Sequence, residues 1–199
     1  MIALYDHIVA ILIGGVIFLV LFNVQQRVQV SSVERSMMYM AKAGTLDLAG
    51  FLERDLMNAG FNTPPVETGI LEHRTQAGGL TDTLMFWGVG ASGARTRIAY
   101  GVSAVDSAYI DGEIVPLYEL RRYERRGATF VRAGGSTPTL TRFKIDLLTS
   151  GNTPTDISTA KRIRVRLANT ALPEFKSDTH LRGYRQLHWG VTLNPPGLQ

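Results

Sequence analysis

Residues Ile8 to Phe22 read Ile-Val-Ala-Ile-Leu-Ile-Gly-Gly-Val-Ile-Phe-Leu-Val-Leu-Phe, a run of fifteen without a charge. At about 1.5 Å of rise per residue the run makes a helix of roughly 22 Å, short of the roughly 30 Å of hydrocarbon in a bilayer. The flanks therefore matter. Extension back through Leu4 and Tyr5 and forward to Val24 spans the core. It also draws Asp6 and His7 toward one membrane face, where a carboxylate must stay at the rim or meet a partner charge. The competing reading is a secretory signal, which needs a basic start and small residues at a cleavage site. This start carries Asp6 and His7 without Lys or Arg, and no Ala-x-Ala follows Phe22. The expectation is a transmembrane or assembly helix over residues 1–27.

The helix is expected to run on. Between Gln25 and Ala59 there is no proline, and the only glycines are Gly44 and Gly50. Leu48, Leu52, Leu56 and Ala59 fall at helical spacing with Phe51 beside them, a stripe that needs a cover, while Glu53, Arg54 and Asn58 lie mostly outside it. Ala59-Gly60-Phe61 offers a glycine stop, and Pro64-Pro65 forbids resumption. An amphipathic spine is thus predicted over residues 28–61.

From residue 62 to 199 the pattern changes to short strands. Thr83–Val89 and Thr96–Val102 flank a glycine-rich turn, and Val115–Tyr123 and Ala128–Arg132 flank Arg125-Arg126-Gly127. Leu140–Leu148 places Phe143, Ile145 and Leu147 opposite Arg142, Lys144 and Asp146. Lys161–Leu167 alternates Ile163, Val165 and Leu167 with Arg162, Arg164 and Arg166, and Tyr184–Leu193 aligns Leu187, Trp189, Val191 and Leu193. One-sided alternation means an antiparallel sheet with one wet face. The fold class is therefore α+β, a long N-terminal helix packed on an antiparallel sheet, with Leu48, Phe51, Leu52 and Leu56 buried against Ile163, Val165, Leu187 and Trp189. Asn62–Gly79 and Thr149–Thr159 read as long connections, the second of them mobile. Asn194–Gln199 reads as a frayed tail.

Composition narrows the chemistry. Cysteine is absent, which excludes disulfides, thiolate metal sites and cysteine nucleophiles. A net charge of +4 permits contact with anionic lipid, cell wall polymer or nucleic acid without demanding any of them. Gly88-Val89-Gly90-Ala91-Ser92-Gly93 matches a nucleotide-binding fingerprint, but that fingerprint needs a helix next, and the strand-like Thr96–Tyr100 follows, so a hairpin loop is predicted. Asp106, Asp111 and Glu113 could offer oxygens to calcium but lack regular ligand spacing, and Asp111-Gly112 is a turn pair. His73, His180 and His188 are dispersed and do not outline a zinc site. Arg121, Arg122, Arg125 and Arg126, with the ladder Arg162, Arg164 and Arg166, could contact phosphates, yet the interspersed Glu119, Glu124 and Asp146 indicate a solvated sheet face with cross-strand ion pairs. No catalytic constellation emerges. No enzyme activity, cofactor, metal or nucleic-acid partner is expected.

A helix that starts apolar, becomes the spine of a sheet domain and ends in Leu52-Glu53-Arg54-Asp55-Leu56 and Ala59-Gly60-Phe61 resembles the type IV pilin-like proteins. The nearest likeness is to the W-type minor pilins and to the J-type minor pseudopilins of type II secretion, where a similar Leu-x-Arg-Asp-Leu-x-x-Ala-Gly-Phe phrase closes the spine. Tyr118–Tyr123 and the arginine-alternating strand around Arg164 resemble their sheet strands. The resemblance implies a noncatalytic envelope subunit that packs by its N-terminal helix beside other pilin-like or membrane subunits and lipid, in a pilus or secretion assembly. It implies a single-pass anchor with the globular domain on the outer, periplasmic or extracellular side. The positive-inside rule, applied to Arg27, Arg35 and Lys42, favours a cytoplasmic domain instead. Members of the family mature with a glutamate at the fifth position that pairs with a neighbour's N-terminal amine. Counting from Met1 places Tyr5 there, and counting from Ile2 places Asp6 there, which makes Asp6 the assembly carboxylate. Gly14 and Gly15 would allow close approach of helices, although glycine is common in membrane helices in any case. Two other classes stand beside this one: a single-pass accessory subunit that forms no filament, and a membrane-tethered nucleic-acid binder resting only on the arginines.

Overall fold

The computed structural model describes residues 2–64, 66–110, 113–170 and 186–199, and of residues 2–6 and 109–110 the backbone alone. One helix, α1, runs from Ile2 to Met57 over 56 residues, a length of about 84 Å at the standard rise. Eight strands follow: β1 (Ile70–Thr75), β2 (Thr81–Val89), β3 (Arg95–Ile110), β4 (Glu113–Arg126), β5 (Thr129–Gly135), β6 (Leu140–Leu148), β7 (Arg162–Thr170) and β8 (Gln186–Leu193). The chain divides into two compact units, Met1–Met40 and Ala41–Gln199. The fold is α+β.

All strand pairs are antiparallel, in the order β1-β2-β3-β4-β6-β7-β8, with β5 also paired to β4. β4 thus forks. Tyr118 pairs with Leu140 on β6, and the stretch Arg121–Arg126 pairs with β5 instead. Where β6 leaves β4, its backbone finds other partners: the Ile145 amide donates to Thr81 Oγ1 at 2.8 Å, and the Ile145 carbonyl accepts from His73 Nε2 at 3.0 Å. These bonds meet the requirement that buried backbone polar groups be paired.

In the second unit the last turns of α1 cover the dry face of the sheet. Thr45, Leu48, Ala49, Leu52, Asp55, Leu56 and Ala59 are buried, at intervals of three and four that trace one helical stripe. They join Leu84, Phe86, Ile98, Tyr100, Leu120, Phe143, Ile145, Ile163 and Val165, with Phe51, Trp189 and Val191 half-buried against them. The core expected from the alternation is therefore present, except that Leu187 is only half-buried and lies outside this cluster. α1 stops as the glycine requires. Gly60 takes a positive φ of 79°, donates its amide to the Trp87 carbonyl at 2.7 Å, and lies so close to Gly197 that a Cβ would sit 2.3 Å from the Gly197 carbonyl oxygen.

Several expectations need correction. Asn62–Gly79 is not a structureless connection, because β1 lies within it as an edge strand hydrogen-bonded to β2. β3 is sixteen residues long and continues well past Val102. Thr149–Thr159 is folded back on β6, where Thr155 donates its amide to Leu147 and Pro154 bridges Leu148. The tail is not frayed either. Residues 196–198 form a 3-10 turn that buries Leu198 and seats Gly197 on Gly60.

Candidate functional site

Two features of α1 bear on function. In the first unit every residue from His7 to Val30 is exposed, and the side chains from Ile8 to Phe22 are apolar or glycine on all sides of the helix. A helix apolar all round requires an apolar environment, either lipid or other helices. It is long and apolar enough to cross a membrane. Gly14 and Gly15 lie in this stretch, and a Cβ added at either would meet nothing within 4 Å. Asp6 belongs to the backbone of α1, and its side chain lies outside the described residues.

The second feature is a charged tie under the other end of the same helix. Asp55 is on the buried stripe between Leu52 and Leu56, and its Oδ2 accepts from Tyr100 Oη on β3 at 2.6 Å and from Arg122 Nε on β4 at 2.5 Å. Arg122 passes the connection on, donating from Nη1 to Glu124 Oε1 at 2.5 Å. Phe51 caps the guanidinium from 5.5 Å. The Arg122 side chain is only 6% exposed, as is that of Glu124. Burial disfavours the charge on Arg122, but the hydrogen bonds it donates to Asp55 and Glu124 more than restore it, and its pKa lies above the ordinary value. Burial likewise pushes the Glu124 carboxyl up, and the Arg122 hydrogen bond and charge overcome this and hold it below the usual range. Burial and the neighbouring Asp55 push the Tyr100 phenol well up, so it stays a donor. The group is thus a buried cluster in which Arg122 ties the helix residue Asp55 to Glu124 and the phenol of Tyr100 donates.

A second polar tie lies on the same stripe. Asn169 of β7 donates to Thr45 Oγ1 at 3.0 Å, and that hydroxyl donates back to the Ala41 carbonyl at 2.7 Å. Both ties join the helix to the sheet through side chains.

Arg122 and Glu124 overturn part of the expected solvated arginine face. With Leu120 inward, period two turns Arg122 and Glu124 inward as well, where Asp55 and Tyr100 receive them. The rest of that face is half-buried to exposed and carries the expected ion pairs. Glu119 pairs with Arg121 at 2.7 Å and with Arg132 across to β5, and Asp146 takes Lys144 at 3.3 Å and Arg166 across to β7. The glycines at Gly88–Gly93 form the β2–β3 hairpin, closed by Gly90 and Ala94, so a strand follows them and not a helix. Asp111 and His180 lie outside the described residues, His188 is exposed on β8, and His73 is engaged with Ile145. Among the described residues no group of three His, Asp or Glu is placed to hold a metal ion.

The sequence reading missed the Asp55 cluster, although a signal existed. A carboxylate three residues after Leu52 and one before Leu56 falls on the stripe, and a buried acid requires a cation.

No family model, curated protein or solved structure matches this chain.

Proposed function

We propose that this protein is a noncatalytic, membrane-anchored subunit of the pilin-like kind, assembling through the first part of α1 into a filament or envelope complex. The observation that carries this reading is the double character of one unbroken helix. From Ile8 to Phe22 it is apolar and exposed on every side, and from Thr45 to Leu56 one face is core to a sheet domain. The same helix thus supplies a stretch that requires an apolar environment and a stretch that is core to a folded domain. The Leu52–Phe61 phrase resembles the end of a pilin spine, and on that likeness the domain faces the outer side of the membrane. Asp6 then travels with the helix into the assembly and meets a neighbour's N-terminal amine.

Electron microscopy of native particles, joined to mass analysis of the native N-terminus, tests the proposal. Stacked helical subunits and a methylated new N-terminus support it. A fixed complex with unlike chains and an unprocessed Met1 would replace it with the accessory-subunit reading. Asp6→Ala is expected to reduce assembly yield while leaving membrane insertion and domain folding intact.

A further inference from the structure

A row of opposed residues crosses β2, β3, β4 and β5 on the face of the sheet turned away from α1. Trp87 pairs with Arg97, and Arg125 pairs with Phe130. One step beyond the pair Ile98 and Glu124, the β3–β4 register sets Arg97 opposite Arg125, and beside them Thr96 Oγ1 donates to the Arg125 carbonyl at 2.8 Å. Phe86, Ile98 and Glu124, each the neighbour of a member of this row, are buried on the helix side. Trp87, Arg97, Arg125 and Phe130 therefore face outward, with directly opposed residues about 5 Å apart at Cβ.

Two like charges in opposed positions destabilise a sheet unless an anion offsets them. Among the described residues no carboxylate is bonded to either guanidinium. Glu124 is turned inward to Arg122, and Glu67 is bonded to Arg95 at 2.6 Å. Arg125 donates from Nε to the neutral Gly127 carbonyl at 3.0 Å. The Arg97 guanidinium lies against the Trp87 ring, 4.8 Å from its centroid.

The indole fixes this corner of the sheet. Arg95 stacks on the same ring at 3.8 Å, so one aromatic side chain holds two guanidiniums. Arg95 Nε, Arg97 Nε and Trp87 Nε1 are buried and have no acceptor among the described residues. Guanidinium and indole groups donate and do not accept. The corner thus has an excess of donors as well as of positive charge, and a group that only accepts and carries more than one negative charge offsets both. A carboxylate brings a single charge and two oxygens. A phosphate monoester brings nearly two charges and three terminal oxygens, which guanidinium forks meet in pairs. Phe130, 41% exposed at the end of the row, supplies an apolar surface for the organic part of such an ester. Single-stranded nucleic acid needs successive aromatic platforms for its bases, and here the Trp87 ring is already occupied by guanidinium groups.

We propose that Arg97 and Arg125 form a binding site for a phosphate monoester, whose oxygens accept from both guanidiniums while Trp87 holds Arg97 in place. The site lies wholly in the sheet domain. It stands independently of the assembly reading above and adds a ligand to it.

Calorimetric titration of the full-length chain in neutral detergent micelles with phenyl phosphate tests the proposal. Saturable binding is expected, tighter than that of inorganic phosphate because Phe130 meets the ring. Arg97→Gln and Arg125→Gln should each weaken it about tenfold, the loss of one charged hydrogen-bonding partner. Arg164→Gln, on the β7 strand away from this row, should leave it unchanged. Thermal unfolding shows which variants keep the fold, and Arg125→Gln decides alone if Arg97→Gln does not. Wild-type affinity in a folded Arg97→Gln or Arg125→Gln chain overturns the proposal. Equal weakening by Arg164→Gln also overturns it, since attraction would then follow overall charge. So does a lack of phenyl phosphate binding, including the case where a single-stranded oligonucleotide binds instead. Short-chain phosphatidic acid titrated in the same way separates the sources of the phosphate. Tighter binding than phenyl phosphate assigns the site to a lipid headgroup, and weaker binding assigns it to a soluble ester.

Discussion

Within α1, residues 7–30 and residues 41–57 share one backbone conformation and differ in what surrounds them. The first stretch turns Ile11, Leu12, Phe18 and Leu21 outward on every side, whereas the second buries one stripe and exposes Lys42, Asp47, Glu53 and Arg54. Helix continuity therefore comes from the backbone and from the absence of proline, while the side chains decide which environment each part requires. The second stretch is also where polar groups enter the interior, at Thr45 and Asp55, each with a partner on the sheet. The first has an exposed apolar surface on every side, so its stability depends on what it is placed in.

The sharpest test of this contrast is Asp55→Ala. Removing the carboxylate leaves Arg122 buried beside Tyr100 with Glu124 as its remaining anion, and the loss is expected to be about 3 to 5 kcal/mol, read by denaturant unfolding of the domain. Restored stability in the triple variant Asp55→Leu, Arg122→Met and Glu124→Gln, which leaves no charge of the cluster buried, would confirm that the penalty comes from a stranded charge. Next is a pair of truncations within α1. Leu52→Ala should cost about 2 to 5 kcal/mol, because Leu52 is fully buried. Leu21→Ala, on the exposed stretch, should leave domain unfolding within about 0.5 kcal/mol of wild type. Equal effects at the two positions would break the comparison.

The smallest effect is the dependence on pH. Burial holds the His73 pKa below its ordinary value despite the Ile145 carbonyl, so its contribution is present above about pH 6.5 and is lost as the pH falls through the lower folded value. The depressed Glu119, Glu124 and Asp146 carboxyls add a steeper loss below about pH 4.3. At the alkaline end the raised Tyr100 pKa makes stability fall once the pH passes about 10, where the unfolded phenol ionises and the folded one does not. Thermal unfolding across pH checks all three limbs, and Tyr100→Phe should flatten the alkaline one.

Much of this fold was legible because its signals are local. The stripe from Leu48 to Ala59, the glycine stop at Gly60 and the alternation of β6 and β7 each depend on neighbours a few residues apart, and each forms as read. β1 escaped because Ile70-Leu71-Glu72-His73-Arg74-Thr75 has no clean alternation and is held by pairing with β2 at the edge of the sheet. The tail escaped because only the distant Gly60 makes room for Gly197. Arg122 and Glu124 looked solvated since charges usually are, and what turns them inward is the phase set by Leu120 together with a partner 67 residues away. Asp6, Gly14 and Gly15 depend on neighbours outside a single chain, so their roles rest on the proposed assembly.

The two polar ties have a mechanical consequence. Thr45 and Asp55 are ten residues apart on α1, or about 15 Å along its axis. When α1 is held just before Thr45 and the sheet is pulled along the helix axis, the force meets the sheet as shear along this seam. An apolar seam alone resists sliding weakly, since one leucine can exchange for the next. Slip by a single turn would instead move Asp55 off Arg122 and Thr45 off Asn169 together. The load is thus shared between a hydroxyl–amide latch nearer the pull and an ionic one behind it, and the helix cannot creep along the domain without breaking both.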